Sequence, residues 1–278
     1  MTTLDEAHAT AFVLQNPLIK LWRARGLNRV FNAALPFAPA PLRDWLERER
    51  ARIRDVDLKE QIRRRSRLVP EPAYRALLAR GLGALLERHG PESFGDYLEF
   101  GVYNGTSLTC MYRELVSFGL DDVRLFGFDS FQGLPPDAHL EDEGRWRPGS
   151  CCSSLSFTTA VLESEGVDRS RVTLVPGWFR DTLNARTIRR HGIRKASIVM
   201  IDCDLYSAAR DALEFCGPLI GDHALLLFDE YRPYGLDGKL AGERRAFDEF
   251  LADWRCFEAR PFGSYIRRAE AFLVTRTR

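Results

Sequence analysis

The chain has 278 residues, a length that one large core, or one core with an accessory segment, can organise, and it excludes a string of small modules. With 45% apolar and 28% charged residues it is not collagen-like, low-complexity or largely disordered. Lys and Arg number 40 against 39 Asp and Glu, a formal charge of +1, so the basic excess of a dedicated nucleic-acid binder is missing.

The opening MTTLDEAHATAF carries acidic residues where a signal peptide needs basic ones. No apolar run approaches the length of a membrane span, Ala224 to Phe228 being strand-sized. The cysteines, at 110, 151, 152, 203, 216 and 256, form no CxxC pair, zinc spacing or disulfide framework. A cytoplasmic protein with no membrane or nucleic-acid partner is expected.

From Leu14 to Leu42, prolines at 17, 36, 39 and 41 limit helix length. Leu42 to Leu68 mixes opposite charges with apolar residues and reads as a salt-bridged amphipathic helix. An alternative is an anion-binding patch made by Arg63, Arg64, Arg65 and Arg67. Ala73 to His89 has helical apolar spacing and ends at Gly90-Pro91. A boundary is expected after residue 90, with residues 1–90 an N-terminal helical segment and 91–278 a second domain.

From Asp96 onward strands and helices alternate. Strands are predicted at Tyr97 to Val102, Val123 to Asp129, Val172 to Pro176, Ser197 to Asp202 and Ala224 to Asp229. Helices are predicted at Thr106 to Phe118, Ser154 to Gly166, Asp181 to His191, Ser207 to Gly217 and Gly242 to Trp254. The pattern implies an α/β fold with an open, mostly parallel sheet covered on both faces. Phe257 to Phe262 and Ile266 to Thr275, joined at Gly263-Ser264-Tyr265, read as a closing antiparallel hairpin at one edge.

The chemistry gathers at the ends of these strands. Glu99-Phe100-Gly101-Val102-Tyr103-Asn104-Gly105-Thr106-Ser107 leads from the first strand into a helix, a turn whose glycines let backbone amides approach a ligand. Glu99 would repel a pyrophosphate and suits an ammonium group, and the third glycine of the dinucleotide fingerprint is missing, which disfavours a nicotinamide oxidoreductase. Asp129, closing the second strand, is placed to accept from a ribose diol. A diol together with a cationic zwitterion describes S-adenosylmethionine. Gly177, Trp178 and Phe179 after the third strand could enclose its base. Asp202, Asp229 and Glu230, ending adjacent strands, should converge, and carboxylates sharing a site call for a cation such as magnesium. His139, in the loop after the second strand, is a conceivable base, with solvation as the plainer alternative. Tyr206 is either a substrate contact or part of a helix start, and Cys151-Cys152 reads as free thiols.

From Tyr97 to about Phe250 the sequence resembles the macrocin O-methyltransferase family, whose members modify sugar hydroxyls on macrolide and aminocoumarin natural products. The resemblance rests on LEFGVYNGTS (Leu98 to Ser107), FGFDSFQGLP (Phe126 to Pro135), GWFRDTL (Gly177 to Leu183), MIDCDLYSAARDAL (Met200 to Leu213), FDEY (Phe228 to Tyr231) and GERRAFDEF (Gly242 to Phe250). More distantly the pattern is similar to catechol O-methyltransferase. The resemblance implies a class I methyltransferase fold with a seven-stranded sheet. It places S-adenosylmethionine against Glu99, Gly101, Tyr103, Ser107, Asp129, Ser130, Phe131, Gly177, Trp178, Phe179 and Asp202. It also implies a magnesium ion on Asp202, Asp229 and Glu230, with Asp202 taking the proton of the acceptor hydroxyl. Family members commonly carry two aspartates at the last pair, so Glu230 departs from the pattern. The lid would comprise residues 1–90 and the loop from Gln132 to Ser153. The expected acceptor is a sugar moiety of a natural product or a saccharide, and the expected assembly a homo-oligomer. A non-catalytic adenosylmethionine- or RNA-binding module stands as the alternative.

Overall fold

The computed structural model describes residues 35–90, 94–232 and 241–277. The chain divides into two compact units, Met1–Ser66 and Arg67–Arg278. The expected disruption by the prolines before residue 35 lies outside the described residues.

In the first unit, a 3-10 turn at Leu35–Phe37 precedes helix α1, Ala40–Arg64. A proline in its first turn costs no intrahelical hydrogen bond. Ion pairs run along the helix, Lys59 to Asp55 at 2.9 Å and both Arg63 and Arg64 to Glu60. Arg65 donates to the Ile62 carbonyl at 2.9 Å. In the second unit Arg67 pairs with Glu71 and Glu165. Arg63, Arg64, Arg65 and Arg67 thus each make at least one contact with the protein's own carboxylates or carbonyls.

The second unit is built on seven strands. They are β1 (Asp96–Phe100), β2 (Leu125–Asp129), β3 (Val172–Pro176), β4 (Ala196–Ile201), β5 (Ile220–Phe228), β6 (Phe257–Gly263) and β7 (Glu270–Arg276). Their order is β3-β2-β1-β4-β5-β7-β6, with β1 to β5 parallel and β7 antiparallel to both neighbours. This is the expected α/β architecture. The central strands β1 and β4 are buried along their whole length, which is why they read as apolar runs rather than alternating ones. Among the described residues no helix is long and apolar enough to cross a membrane.

Successive strand residues feed opposite faces. On one face Tyr97, Ile198 and Leu225 pack with Tyr74, Leu78 and Leu82 of α2 (Glu71–His89) and Met111 of α3 (Thr106–Ser117). On the other, Leu98, Phe100, Val199 and Phe228 pack with residues of later helices, Leu213 and Phe247 among them. Because the apolar stripe of α2 is buried in the sheet's own core, α2 belongs to the second unit. The boundary expected at 90/91 thus falls at 66/67.

The remaining helices are α4 (Leu155–Ser164), α5 (Phe179–Thr182), α6 (Ala185–His191), α7 (Tyr206–Cys216) and α8 (Gly242–Asp253). The helix expected over 181–191 is two pieces. Asn184 breaks it and caps α6, its Oδ1 accepting from the amides of Arg186 and Thr187. The last expected strand begins four residues late. β7 starts at Glu270, opposite Phe228, and Ser264 to Ala269 form the turn, closed by the Ser264 hydroxyl on the Ala269 carbonyl at 2.7 Å. Since β7 runs against β5, this turn sits beside the carboxyl ends of the parallel strands.

Candidate active site

The strand order reverses between β1 and β4, where neighbouring crossovers leave on opposite faces and open a crevice at the carboxyl ends of the strands. A cavity of about 580 Å³ opens there, within the range of small-molecule sites.

The turn after β1 forms one wall. Gly101 has φ +91°, and a Cβ on it would stand 1.7 Å from the Asp202 carbonyl oxygen, so only glycine lets β1 and β4 end side by side. Asp129 holds this turn. Its Oδ2 accepts from the amides of Val102 and Tyr103, each at 2.8 Å, and its Oδ1 accepts from Phe131 at 2.7 Å. The turn amides expected to reach a ligand are thereby committed to Asp129. A carboxylate has about four acceptor positions, so one remains for a ribose hydroxyl. Burial raises the carboxyl of Asp129 above its ordinary range, opposed by those amides. From α4, Thr158 donates to the Tyr103 carbonyl at 2.5 Å and steadies the same turn.

Of the expected cofactor contacts, Gly101, Tyr103, Ser107, Asp129, Ser130, Gly177, Trp178, Phe179 and Asp202 line the cavity. Glu99 and Phe131 do not. Strand alternation turns Glu99 to the Tyr97 face, under α3, where it is fully buried. There it accepts from Tyr97 Oη at 2.5 Å and Ser107 Oγ at 2.6 Å, and burial pushes its carboxyl up to about 7. From there it supports the turn from beneath through Ser107. Phe131 is buried in the core and reaches the site only through its amide. His139, the expected base, is exposed on the loop after β2 and lies outside the cavity lining. Its Nδ1 is 3.1 Å from the Pro136 carbonyl oxygen. Tyr206 also lies away from the cavity lining and donates to Glu249 at 2.6 Å, tying α7 to α8.

The carboxylates at the ends of β4 and β5 do come together. Asp202, Asp204, Asp229 and Glu230 line the cavity. Burial, then Asp229 and Asp204, drives the Asp202 carboxyl well above its ordinary value. Asp204, in the left-handed region at φ 66°, is raised to about 6 by burial and Asp229. Behind them Glu243, fully buried in the first turn of α8, accepts from the amides of Cys203 at 3.3 Å and Glu230 at 3.0 Å. One carboxylate thus fastens both strand ends, the structural role of GERRAFDEF.

As a magnesium site, Asp202, Asp229 and Glu230 do not fit in this arrangement. Asp229 Oδ2 accepts from Arg268 Nη2 at 2.7 Å and Nε at 3.1 Å, while Tyr265 donates to Oδ1. Glu230 Oε1 pairs with Arg268 Nε at 2.9 Å, and its Oε2 is buried without a partner. Among the described residues no group of three or more His, Cys, Asp or Glu side chains is set to hold a metal ion.

The loop from Gln132 to Ser153 roofs the cavity with Leu134, Pro135, Asp137, Glu141, Trp146 and Cys151. Two acidic residues pin it. Glu141 accepts from the Ser207 amide at 2.9 Å and hydroxyl at 2.5 Å at the start of α7, and Asp142 accepts from the Gly242 amide at 3.0 Å at the start of α8. Both charges face helix amino termini, where free amides favour anions. Sequence reasoning missed Arg268, Tyr265, Glu243 and Asp204. Arg268 carried no signal because it fell inside a predicted strand, whereas the spacing Asp202-Cys203-Asp204 could have marked Asp204.

Comparison with known proteins follows this geometry. The family model described as macrocin-O-methyltransferase (TylF) matches residues 44–253. An 8-demethyl-8-(2,3-dimethoxy-alpha-L-rhamnosyl)-tetracenomycin-C 4'-O-methyltransferase of Streptomyces olivaceus is 32% identical over 143 residues, 49% of this chain and 53% of the relative. A mycinamicin III 3''-O-methyltransferase of Micromonospora griseorubida is 26% identical over 145 residues, 49% of this chain and 55% of the relative. The chain thus spans about half the length of these curated relatives. The solved O-methyltransferase NovP shares the fold with a TM-score of 0.57 at 22% identity, covering 75% of this chain and 79% of that one.

Proposed function

This chain belongs to the macrocin O-methyltransferase family, and from that premise we propose that it transfers the methyl group of S-adenosylmethionine to a sugar hydroxyl, on a glycosylated natural product or a saccharide. The observation carrying this reading is one cavity whose lining holds Asp129, Trp178 and Phe179 together with the carboxylates of Asp202, Asp204, Asp229 and Glu230. The names of the two curated relatives, both methyltransferases of sugar positions, support the acceptor class.

In this reading the adenine lies against Trp178 and Phe179, and the free acceptor position of Asp129 takes a ribose hydroxyl. Asp204, when ionised, adds a negative charge to the cavity wall that favours the sulfonium. The acceptor oxygen attacks the methyl carbon in line. A C–O bond forms, the S–C bond breaks, and S-adenosylhomocysteine leaves with the sulfur's electron pair. Asp202, whose carboxylate has no hydrogen-bonding partner among the described residues and faces the cavity, takes the hydroxyl proton. The Gln132 to Ser153 loop acts as lid and excludes water. No step is routed through magnesium.

Isothermal titration is expected to show binding of S-adenosylmethionine and none of NADH. Asp202→Asn should lower methyl transfer about a hundredfold or more while cofactor affinity stays within about threefold. Undiminished transfer by Asp202→Asn would remove the base, and absence of adenosylmethionine binding would remove the whole reading.

A further inference from the structure

We infer that Arg268 is the resident cation of the carboxylate site, standing where a divalent ion would bind and keeping one out. The inference concerns the site assigned above. Its principal readout requires no methyl transfer, so the two readings can fail separately.

The guanidinium approaches from the turn between β6 and β7, which the antiparallel register of β7 on β5 delivers to the ends of the parallel strands. It makes three contacts, two to Asp229 Oδ2 and one to Glu230 Oε1, all between 2.7 and 3.1 Å. Magnesium needs carboxylate oxygens at about 2.1 Å in octahedral array. On Asp229 the lone pairs it would use are divided between Arg268 and the Tyr265 hydroxyl. Asp229 and Glu230 are 5% and 8% exposed, so charge left on them without a cation would be costly, and the guanidinium meets that need with a planar fork of fixed donors.

The turn is anchored so that Arg268 is delivered rather than left to wander. Its carbonyl accepts from the Arg232 amide at 2.8 Å, and Arg232 also pairs with Glu270 at the start of β7. On the far side, Tyr265 stacks edge-on against Tyr74 of α2 at 4.8 Å. Arg268 is therefore a positioning residue. It fixes Asp229 and Glu230 and leaves Asp202 as the carboxylate open to an acceptor.

The test titrates the full-length protein with Mn²⁺, observed by electron paramagnetic resonance of the free ion. Wild type should show no stoichiometric site, and Arg268→Met should gain one about tenfold or more tighter. Methyl transfer by wild type should survive exhaustive dialysis against EDTA. One Mn²⁺ bound per wild-type chain, or activity lost to EDTA and restored by Mg²⁺, would overturn the inference, and neither measurement depends on the variant folding. Circular dichroism confirms the fold of Arg268→Met. A folded variant that binds no Mn²⁺ would show that Arg268 is not what excludes the ion.

Discussion

Glu99 shows how strand alternation sets the surroundings of a residue that the sequence singles out. An acidic residue before the glycine turn reads as a partner for an ammonium group, but side-chain alternation sends it to the Tyr97 face and under α3. Its carboxyl is pushed up from 4.5 to about 7 by burial, so the folded chain holds the proton across a range where the unfolded chain releases it. The stability this confers is fully present below pH 4.5 and is lost as pH rises through about 7, a difference of roughly 3 kcal/mol. Glu99→Gln should remove that slope and raise the melting temperature at pH 8 relative to wild type. Parallel pH–stability curves for the two proteins would refute it. Gly101 and Asp129 were legible as residue types at strand ends, but what each touches, the Asp202 carbonyl and the amides of Val102 and Tyr103, is set by strands distant in sequence.

At the scale of elements, the alternation of strand and helix from Asp96 onward was readable because the central strands β1 and β4 are buried along their length and α3, α7 and α8 each bury one apolar stripe. Where the reading slipped, a local cap or a long-range partner decided. The helix over 181–191 breaks because Asn184 caps a second piece, and the strand expected from Ile266 yields its first residues to a turn that reaches Asp229. The loop over the cavity is fastened to the rest of the domain by contacts far along the chain, Glu141 with Ser207 and Asp142 with Gly242. Charge-assisted bonds at helix termini are worth about 1–2 kcal/mol. Glu141→Ala should therefore speed amide exchange across residues 134–150 about tenfold, as read by hydrogen–deuterium exchange. Unchanged protection there would mean the loop is held by other contacts.

For the whole molecule, both apolar clusters lie at or beyond Val69, and α2 completes one of them. A fragment of residues 67–278 should then unfold in one cooperative transition and retain adenosylmethionine binding, followed by circular dichroism and calorimetric titration. A fragment that is unfolded would make the first unit part of the folding core, and one that folds without binding would assign it to the site. Periodicity was enough to determine an α/β sheet, because the alternation of strand and helix is imposed by neighbours within a few residues, and strand-end acids and glycine turns marked most of the residues that line the cavity. Which carboxylates are free and which are occupied was decided by tertiary structure alone. An antiparallel strand near the end of the chain carries Arg268 and Tyr265 to Asp229, and α8 brings Glu243 to two strand ends. Such meetings depend on register across the sheet, to which no local pattern of residues corresponds.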